Sequence, residues 1–227
     1  MWVVKLGGSM GRDPRLVAWL RMLAELGGGR VTVVPGGGGF ADQVREAQAH
    51  WRFDDLAAHN MAVLAMAQTA HLLRALEPRL TLAGDEATIL QTLHRGRAAL
   101  WLPLMLMRDA PDLLTTWEVT SDSLALWLAR RLNAERLVVV KAFAVRPGDT
   151  LDALAGQGVL DGRFAHWAQD AAFPIEIVHG DEVDRVRNAL LGGQAPPPSP
   201  LLSIAGSGGQ GGNAPRQRTR TRRKPLA

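Results

Sequence analysis

Cysteine is absent from this 227-residue chain, which excludes a disulfide framework, a thiolate zinc site and a cysteine nucleophile. No apolar run approaches the roughly 20 residues that a membrane-spanning helix needs. The chain also starts without the basic and apolar regions of a signal peptide. We therefore expect a soluble, cytoplasmic protein that has no membrane partner.

Lysine is scarce as well. Lys5, Lys141 and Lys224 are the only lysines among 26 lysines and arginines. Lys5 lies inside an apolar, strand-like run and is followed by glycines. A compact ammonium group can bind a phosphate there as a point charge, which the larger, forked guanidinium group does not reproduce. The placement of Lys5 therefore indicates phosphoryl chemistry.

The net charge of +4 comes from the end of the chain. Six of the basic residues lie between residues 216 and 224 with no acidic residue among them, so the rest of the chain is close to neutral. A basic body would have favoured nucleic-acid binding. We expect no nucleic-acid partner, apart from any contact that this basic segment makes.

The composition changes after residue 192. The chain is 47% apolar, which is enough to bury one core, and we predict a single domain over residues 1–192. Residues 193–227 are rich in proline, glycine, serine and arginine and cannot bury enough apolar surface to fold alone. We predict that they form a disordered basic tail, to which we assign no function.

Short β-branched runs alternate with longer amphipathic stretches, which is typical of βαβ units and a largely parallel sheet. The predicted strands lie near residues 2–6, 30–34, 98–102, 137–141 and 174–178. The predicted helices lie near residues 14–26, 40–49, 54–76, 85–94, 121–133, 161–170 and 181–191. Segment 103–117 is predicted to be a strand followed by a loop.

Glycine turns follow the first two predicted strands. The first strand ends in Lys5-Leu6-Gly7-Gly8-Ser9, and the second runs into Pro35 and four glycines, residues 36–39. In a parallel sheet both turns lie at the same edge, where backbone N–H groups can hold phosphate. We therefore expect the N–H groups of residues 36–39 to face the same crevice as Lys5.

A carboxylate and a second lysine are predicted to reach this edge. Asp122 stands at the start of a predicted helix, where an acidic residue is often only an N-cap. Lys141 ends a predicted buried strand. A carboxylate between two lysines keeps both of them charged and fixes where they point. On this hypothesis Asp122 orients Lys5 and Lys141, which neutralise a phosphoryl group during its transfer.

Other kinds of site are less well supported. Residues 36–41 also satisfy the G-x-G-x-x-A fingerprint of dinucleotide-binding folds, with Asp54 and Asp55 about 20 residues later. That fingerprint normally follows the first strand of its unit, and it leaves Lys5 unexplained. The Walker pattern of P-loop kinases is absent. The six histidines show no metal-ligand spacing, and no catalytic serine elbow occurs.

In their order along the chain these motifs resemble the amino acid kinase family, which includes acetylglutamate, aspartate, uridylate and isopentenyl phosphate kinases. The resemblance covers about residues 1–192. It implies a three-layer αβα sandwich with a mainly parallel central sheet, and phosphoryl transfer from ATP with Mg²⁺. Family members commonly associate through helices like the one predicted at 54–76, which implies a homo-oligomer.

The resemblance also implies a role for each motif. The implied catalytic residues are Lys5, Asp122 and Lys141. The implied contacts of the ATP phosphates are Lys5, Gly7, Gly8, Ser9 and Lys141. The implied acceptor-binding residues are Gly36, Gly37, Gly38 and His59.

Within the family, residues 59–66 and the compact length resemble most the kinases of methanofuran biosynthesis, which have bacterial relatives in one-carbon metabolism. Those kinases pass the γ-phosphoryl group of ATP to an aminomethylfuran phosphate and form a diphosphate. This resemblance is the reason that His59 is included among the acceptor-binding residues.

Two departures from the family pattern are important. Many members have Gly-Gly-Met-x-x-Lys late in the chain, where this chain has residues 158–163 and no lysine. We expect Lys141 to supply that charge, with Arg163 as the second candidate.

The second departure is in the nucleotide loop. Residues 142–145 lack the aspartate that this loop usually has, so the base preference stays open. Because of the missing lysine, a non-catalytic protein that binds or stores a nucleotide or oxyanion is the alternative hypothesis.

Overall fold

Six parallel strands form one sheet in the computed structural model, which describes residues 1–143 and 148–192. The strands are β1 (Trp2–Leu6), β2 (Val31–Pro35), β3 (Thr81–Ala83), β4 (Ala99–Trp101), β5 (Arg136–Lys141) and β6 (Ile175–His179). Their spatial order is β3-β4-β2-β1-β5-β6. The carboxyl ends of β2, β1 and β5 therefore lie side by side.

Helices cover both faces of this sheet. The α-helices of the described residues are α1 (Leu16–Leu26), α2 (Gly38–Trp51), α3 (Asp55–Leu76), α4 (Glu86–His94), α5 (Ser121–Arg131), α6 (Leu151–Gly156), α7 (Gly162–Ala168) and α8 (Val183–Leu190). Three short 3-10 helices are Gly8–Arg12, Pro103–Leu106 and Gly180–Glu182. The predicted three-layer αβα sandwich with a parallel sheet is confirmed.

The sheet separates two apolar cores. On one face, Val3 of β1 and Leu137 of β5 pack with α5, α6 and α7. On the other face, Val4 and Val138 of the same strands pack with α1 and α8. Side chains alternate between the two faces along a strand, so neighbouring apolar residues serve different cores. This explains the continuous apolar runs of β1 and β5, which are typical of parallel strands buried on both faces.

Some local predictions are wrong. Segment 103–117 does not begin with a strand but with the 3-10 helix Pro103–Leu106. Proline has no N–H for a strand ladder and fits the first turn of a helix. The prediction also left out β3 and α6, which have only three and six residues. Elements of that length are too short for their hydrophobic periodicity to be recognised.

Parts of two predictions lie outside the described residues. The predicted tail, residues 193–227, is one of them, and residues 144–147 of the segment after Lys141 are the other. Among the helices of the described residues, none has the length and apolar character needed to span a membrane.

Candidate active site

The strand register brings Lys5 and Lys141 to the same face of the sheet. Lys5 of β1 is opposite Val139 of β5, and Lys141 follows two residues later. Residues two apart in a strand point to the same side. Val3, two residues before Lys5, packs in the core that α5 covers, so both lysine side chains point toward α5. Both are buried, with Lys5 2% and Lys141 7% exposed.

Asp122 lies between the two lysines. It is the second residue of α5 and is only 3% exposed. Its Oδ1 accepts a hydrogen bond from Lys5 Nζ at 2.5 Å, and its Oδ2 accepts one from Lys141 Nζ at 2.7 Å. A single buried carboxylate therefore joins the ends of two neighbouring strands through ion pairs. These three groups by themselves carry a net charge of +1, and the carboxylate of Asp161, described below, lines the same cavity.

Burial and charge act in opposite directions on these groups. Burial lowers the pKa of Lys5 from its ordinary value of 10.5 to about 8, although the carboxylate of Asp122 partly opposes this change. For Asp122, burial by itself raises the pKa, but the charges of Lys5 and Lys141 prevail and hold the pKa of this carboxyl below its usual value. Near neutral pH the carboxylate is therefore ionised and Lys5 keeps its proton.

The two glycine turns are in direct backbone contact. The Gly7 N–H donates to the Val140 carbonyl at 2.9 Å, and the Gly36 N–H donates to the Leu6 carbonyl at 2.9 Å, so both bonds extend the ladders of β1. A Cβ atom on Gly36 would lie 2.4 Å from the backbone nitrogen of Gly8. No side chain fits in this space, which is why glycine is needed there.

The expectation that every N–H group of the second turn faces the crevice is wrong in part. Gly36 is buried, uses its N–H within the sheet and does not line the cavity described below. α2 begins at Gly38, which has a φ of +53°. The first N–H groups of a helix have no partner within that helix. The second turn therefore presents mainly the N–H groups at the start of α2.

A cavity of about 950 Å³ opens onto Lys5, Asp122 and Lys141. Both glycine turns line it, with residues Gly7, Gly8, Ser9, Gly37 and Gly38. The Ser9 hydroxyl accepts a hydrogen bond from the Ala142 N–H at 3.3 Å, which ties the first turn to the residue that follows Lys141. The predicted phosphate-binding residues of the first turn are thus brought to one site.

His59 of α3 lines the same cavity. It is 8% exposed, and its Nε2 donates to the Leu106 carbonyl at 2.8 Å. Because a carbonyl oxygen only accepts, this bond places a proton on Nε2. The bond also fixes the ring against the 3-10 helix after β4, so the imidazole is held in place at the cavity wall.

Asp161, which the sequence analysis did not select, also lines the cavity. It is the N-cap of α7, where it accepts from the Phe164 N–H at 2.9 Å. It also accepts hydrogen bonds from Thr120 and Ser123 at the start of α5. Burial raises its pKa, and the negative charge of Asp122 raises it further. A local N-cap signal was available in the sequence, but the contact with α5 spans 38 to 41 residues.

Arg163 does not line the cavity. Its Nε forms an ion pair with Glu118 Oε2 at 2.8 Å, and both side chains are about half exposed or more. Of the two candidates for the missing late lysine, the structure brings Lys141 to Asp122 and leaves Arg163 at the surface.

Trp117 is a second cavity residue that the sequence analysis missed. Its Nε1 donates to Gln48 Oε1 at 2.6 Å, and the guanidinium carbon of Arg45 lies 4.4 Å from the centre of its ring. Both partners belong to α2, which follows the second glycine turn. Arg45 also pairs with Asp42 at 3.0 Å. This side of the cavity therefore combines an aromatic ring with charges of both signs.

No group of three or more histidine or acidic side chains within residues 1–143 and 148–192 could hold a metal ion. Mg²⁺ commonly keeps several waters and binds through one or two carboxylates together with substrate phosphates.

Residues 1–144 match the family model described as the amino acid kinase family. The matched range contains both glycine turns and the buried group of Lys5, Asp122 and Lys141. The chain belongs to the amino acid kinase family. The family that the sequence motifs indicated is thereby confirmed.

A curated relative of this amino acid kinase family member comes from Methanocaldococcus jannaschii and is named 5-(aminomethyl)furan-3-ylmethyl phosphate kinase. It is 24% identical over 207 residues, which cover 85% of this chain and 94% of the relative. As a member of the amino acid kinase family, this chain is a phosphotransferase.

Several solved structures share the fold. The uridylate kinase of Archaeoglobus fulgidus has a TM-score of 0.63 at 16% identity and covers 85% of this chain and 96% of its own. The UMP kinase of Bacillus anthracis has a TM-score of 0.59 at 17% identity, with coverages of 84% and 91%. An isopentenyl phosphate kinase has a TM-score of 0.55 at 15% identity, with coverages of 86% and 98%. These likenesses agree with the parallel sheet described above.

Proposed function

We propose that this kinase transfers the γ-phosphoryl group of ATP to the phosphate group of a small acceptor, and that the acceptor is an aminomethylfuran phosphate. The observation that carries the proposal is the buried group of Lys5, Asp122 and Lys141 at a cavity lined by two glycine turns. Phosphoryl transfer depends mainly on positioning and on neutralising charge. In this group the carboxylate of Asp122 positions the two lysines, and the lysines neutralise the charge of the phosphoryl group.

The paired state of Asp122 favours an acceptor that is already ionised. Both oxygens of Asp122 accept hydrogen bonds from ammonium groups, and the lowered pKa of this carboxyl makes it a poor base. A hydroxyl acceptor needs a group that takes up its proton. A phosphate or carboxylate acceptor attacks with an oxygen that carries no proton, so Asp122 is free to act by orienting the two lysines.

The two glycine turns divide the site between two substrates. In our proposal the ATP phosphates contact the first turn at Gly7, Gly8 and Ser9, together with both lysines. The acceptor binds at the second turn, at Gly37 and Gly38, with His59 nearby. Gly36 contributes by allowing the two turns to pack closely. Mg²⁺ enters with the ATP phosphates, which supply most of its ligands.

The relative from Methanocaldococcus jannaschii supports the choice of acceptor, since it aligns with nearly its whole length to this chain and is named for that substrate. The cavity also suits two substrates at once. Its volume of about 950 Å³ is near the upper end of the roughly 300–1,000 Å³ that small-molecule sites occupy. Its wall at α2 offers an aromatic ring and both signs of charge to a compound that carries a furan ring, an ammonium group and a phosphate.

The test is a phosphotransfer assay with the purified full-length chain, ATP, Mg²⁺ and synthetic aminomethylfuran phosphate. We expect release of ADP and a diphosphate product, detected by ³¹P NMR. UMP, isopentenyl phosphate and acetylglutamate serve as competing acceptors, and the unphosphorylated furan alcohol serves as the negative control. Preferential use of another acceptor would contradict the assignment of the furan. ATP binding with no ADP release for any acceptor would support the non-catalytic alternative.

We extend the proposal to assembly and location. Exposed apolar side chains occur on α3, at Met61 and Leu64, and on the neighbouring 3-10 helix, at Leu104 and Met105. Apolar groups that face solvent on a long helix suit contact with a second copy of the chain. We therefore propose that the enzyme is a homo-oligomer.

A reaction that consumes ATP needs the ATP pool of the cytoplasm. We therefore propose that the enzyme is located in the cytoplasm.

A further inference from the structure

Asp161 is a buried carboxylate to which the proposed phosphoryl transfer assigns no task. It lies just before α7 and is 8% exposed. Its two oxygens accept five hydrogen bonds, three from backbone N–H groups and two from hydroxyl groups. A carboxylate that is this fully engaged holds its partners firmly, because each bond to an ionised acceptor is stronger than a neutral one.

Asp161 caps the N-terminus of α5, a role that the side chain of the N-cap residue usually has. Thr120 is the N-cap of α5, but its hydroxyl does not cap the helix. The Thr120 hydroxyl and N–H instead both donate to Asp161 Oδ2 at 2.9 Å. The Ser123 N–H also donates to Oδ2 at 2.9 Å, and the Ser123 hydroxyl donates to Oδ1. The first turn of α5 is thus fixed by a residue 38 to 41 positions away.

The bonds to Asp161 lie on both sides of Asp122 in the chain. Thr120 precedes Asp122 by two residues, and Ser123 follows it directly. Asp161 also accepts the Phe164 N–H at 2.9 Å and so caps α7 with the same carboxylate. The position of Asp122 between the two lysines therefore depends on how α7 is held against the start of α5.

The negative charge of Asp161 also acts on the ammonium group of Lys5. Lys5 is faced by the carboxylates of Asp122 and Asp161 and by the ammonium group of Lys141. Burial lowers the pKa of Lys5 to about 8, and the negative charge of Asp161 is among the influences that oppose this decrease. Asp161 thus helps Lys5 to stay charged without touching it.

We propose that Asp161 is a positioning residue that, through the first turn of α5, holds Asp122 between Lys5 and Lys141, and that its negative charge acts on Lys5. The inference rests on the proposed phosphoryl transfer. It adds a residue that contacts neither lysine, and it makes the junction of α5 and α7 part of the catalytic arrangement.

The scarcity of lysine allows a direct test in the free protein. The chain labelled with ¹³C at lysine Cε has three signals, and Lys5→Arg and Lys141→Arg variants assign them. Titration by NMR then gives the pKa of Lys5 in the wild type and in Asp161→Asn. We expect a lower pKa of Lys5 in Asp161→Asn, because a negative charge near the ammonium group is lost. An unchanged pKa of Lys5 would overturn the electrostatic part of the inference whether or not an acceptor is known.

The kinetic test uses Asp161→Asn beside a matched control, Asp85→Asn. Asp85 is also an N-cap carboxylate that accepts a backbone N–H, but it caps α4 and does not line the cavity. We expect kcat of Asp161→Asn to fall by roughly tenfold to a hundredfold, as for other misplaced catalytic groups, with KM for ATP changed less than about twofold. The alkaline limb of the kcat/KM profile should move to lower pH. Asp85→Asn should keep the wild-type profile.

A second variant separates geometry from charge. Ser123→Ala removes one hydrogen bond to Asp161 and leaves the carboxylate charge in place. It should lower kcat by a smaller factor than Asp161→Asn and leave the pKa of Lys5 unchanged, and it remains informative where Asp161→Asn does not fold.

Two results distinguish the possible failures. A wild-type enzyme that transfers no phosphoryl group would contradict the proposed function, while the titration still tests Asp161. An active wild type with Asp161→Asn reduced only in melting temperature, at unchanged kcat and pH profile, would show that Asp161 is structural and would overturn the inference.

Discussion

Lys5 carries a positive charge in a place that water barely reaches, since its side chain is 2% exposed. Burial disfavours the charged form, and the contact with Asp122 at 2.5 Å favours it. Folding therefore loses stability by burying this ammonium group, at the place where our proposal puts the phosphoryl group. In our proposal this group assists catalysis, because its interaction with the phosphoryl group takes place away from water.

The first prediction concerns the charge of Lys5. Lys5→Met keeps a side chain of similar length and removes the ammonium group, so kcat should fall roughly 100- to 1,000-fold, with the circular dichroism spectrum retained. Lys5→Arg should also be strongly impaired, because the guanidinium group is too large for the space beside the glycine turn. The matched control is Lys224→Met in the predicted tail, which should keep wild-type turnover. A Lys5→Met enzyme with near-normal kcat would contradict the role of Lys5.

The second prediction concerns pH. In the folded protein Lys5 loses its proton near pH 8, whereas in the unfolded chain it does so near 10.5. The unfolded state therefore binds more protons between these values, and the Lys5 contribution to the free energy of unfolding rises with pH by about 3 kcal/mol over that range. Activity should fall over the same range, because the charge is lost.

Denaturant unfolding of the wild type and Lys5→Met at several pH values measures this contribution, and kcat/KM is recorded in parallel. The wild type should gain stability relative to Lys5→Met between pH 8 and 10.5. A difference in stability that stays constant with pH would mean that the pKa of Lys5 is not lowered.

At the level of elements, the site exists because two strand ends and one helix start meet. β1 and β5 are neighbours in the sheet, and α5 begins where both of them end. The glycine turn after β1 packs on the one after β2. Each element contributes one or two groups, and none of them forms a site alone.

The third prediction tests the contact between the two glycine turns. Gly36→Ala would place a Cβ 2.4 Å from the nitrogen and 2.8 Å from the Cα of Gly8. Backbone atoms must move apart to admit it, so we expect a loss of stability of about 1–3 kcal/mol, as for other overpacked sites, together with a lower kcat.

The control for this variant is Gly156→Ala in α6, where a Cβ meets no atom within 4 Å. Replacing glycine by alanine in a helix stabilises by up to about 1 kcal/mol, so Gly156→Ala should be neutral or slightly stabilising. Chemical denaturation and steady-state kinetics measure both variants. Equal stability of Gly36→Ala and the wild type would show that the turns do not need this close approach.

Elements with a long apolar run or a clear cap were predictable. β1, β2, β5 and β6 were predicted within about two residues, because strands buried on both faces have continuous apolar sequences. β3 has three residues and leaves almost no pattern. The hydrogen bonds from Thr120 and Ser123 to Asp161 were not predictable, since they join helix starts that are distant in sequence.

For the whole molecule, the described residues form one sheet with a core on each face and one large cavity at its carboxyl edge. α3 is the longest of the described helices and carries exposed apolar residues on its outer side. In our proposal a second copy of the chain covers these exposed apolar side chains and removes them from water.

The fourth prediction tests self-association. Leu64→Glu introduces a charge on the exposed side of α3, where Leu64 is 42% exposed, so burial of the carboxylate between two copies would be costly. We expect a lower molar mass in sedimentation or light-scattering measurements. Leu90→Glu on α4 is the matched control, because Leu90 is equally exposed. The same mass for wild type and Leu64→Glu would exclude α3 as the interface.

The sequence by itself determined the fold class, the order of the motifs and the identity of the charged residues, because strand periodicity and glycine turns are local in the chain. The sequence analysis also expected Asp122 to lie between Lys5 and Lys141, but only the tertiary structure decided the geometry of that contact and brought Asp161 and Trp117 to the same cavity. The register of β1 and β5 places Lys5 and Lys141 on one face, and the start of α5 brings a carboxylate between them. Such contacts depend on how distant segments pack, and no local pattern of residues encodes that packing.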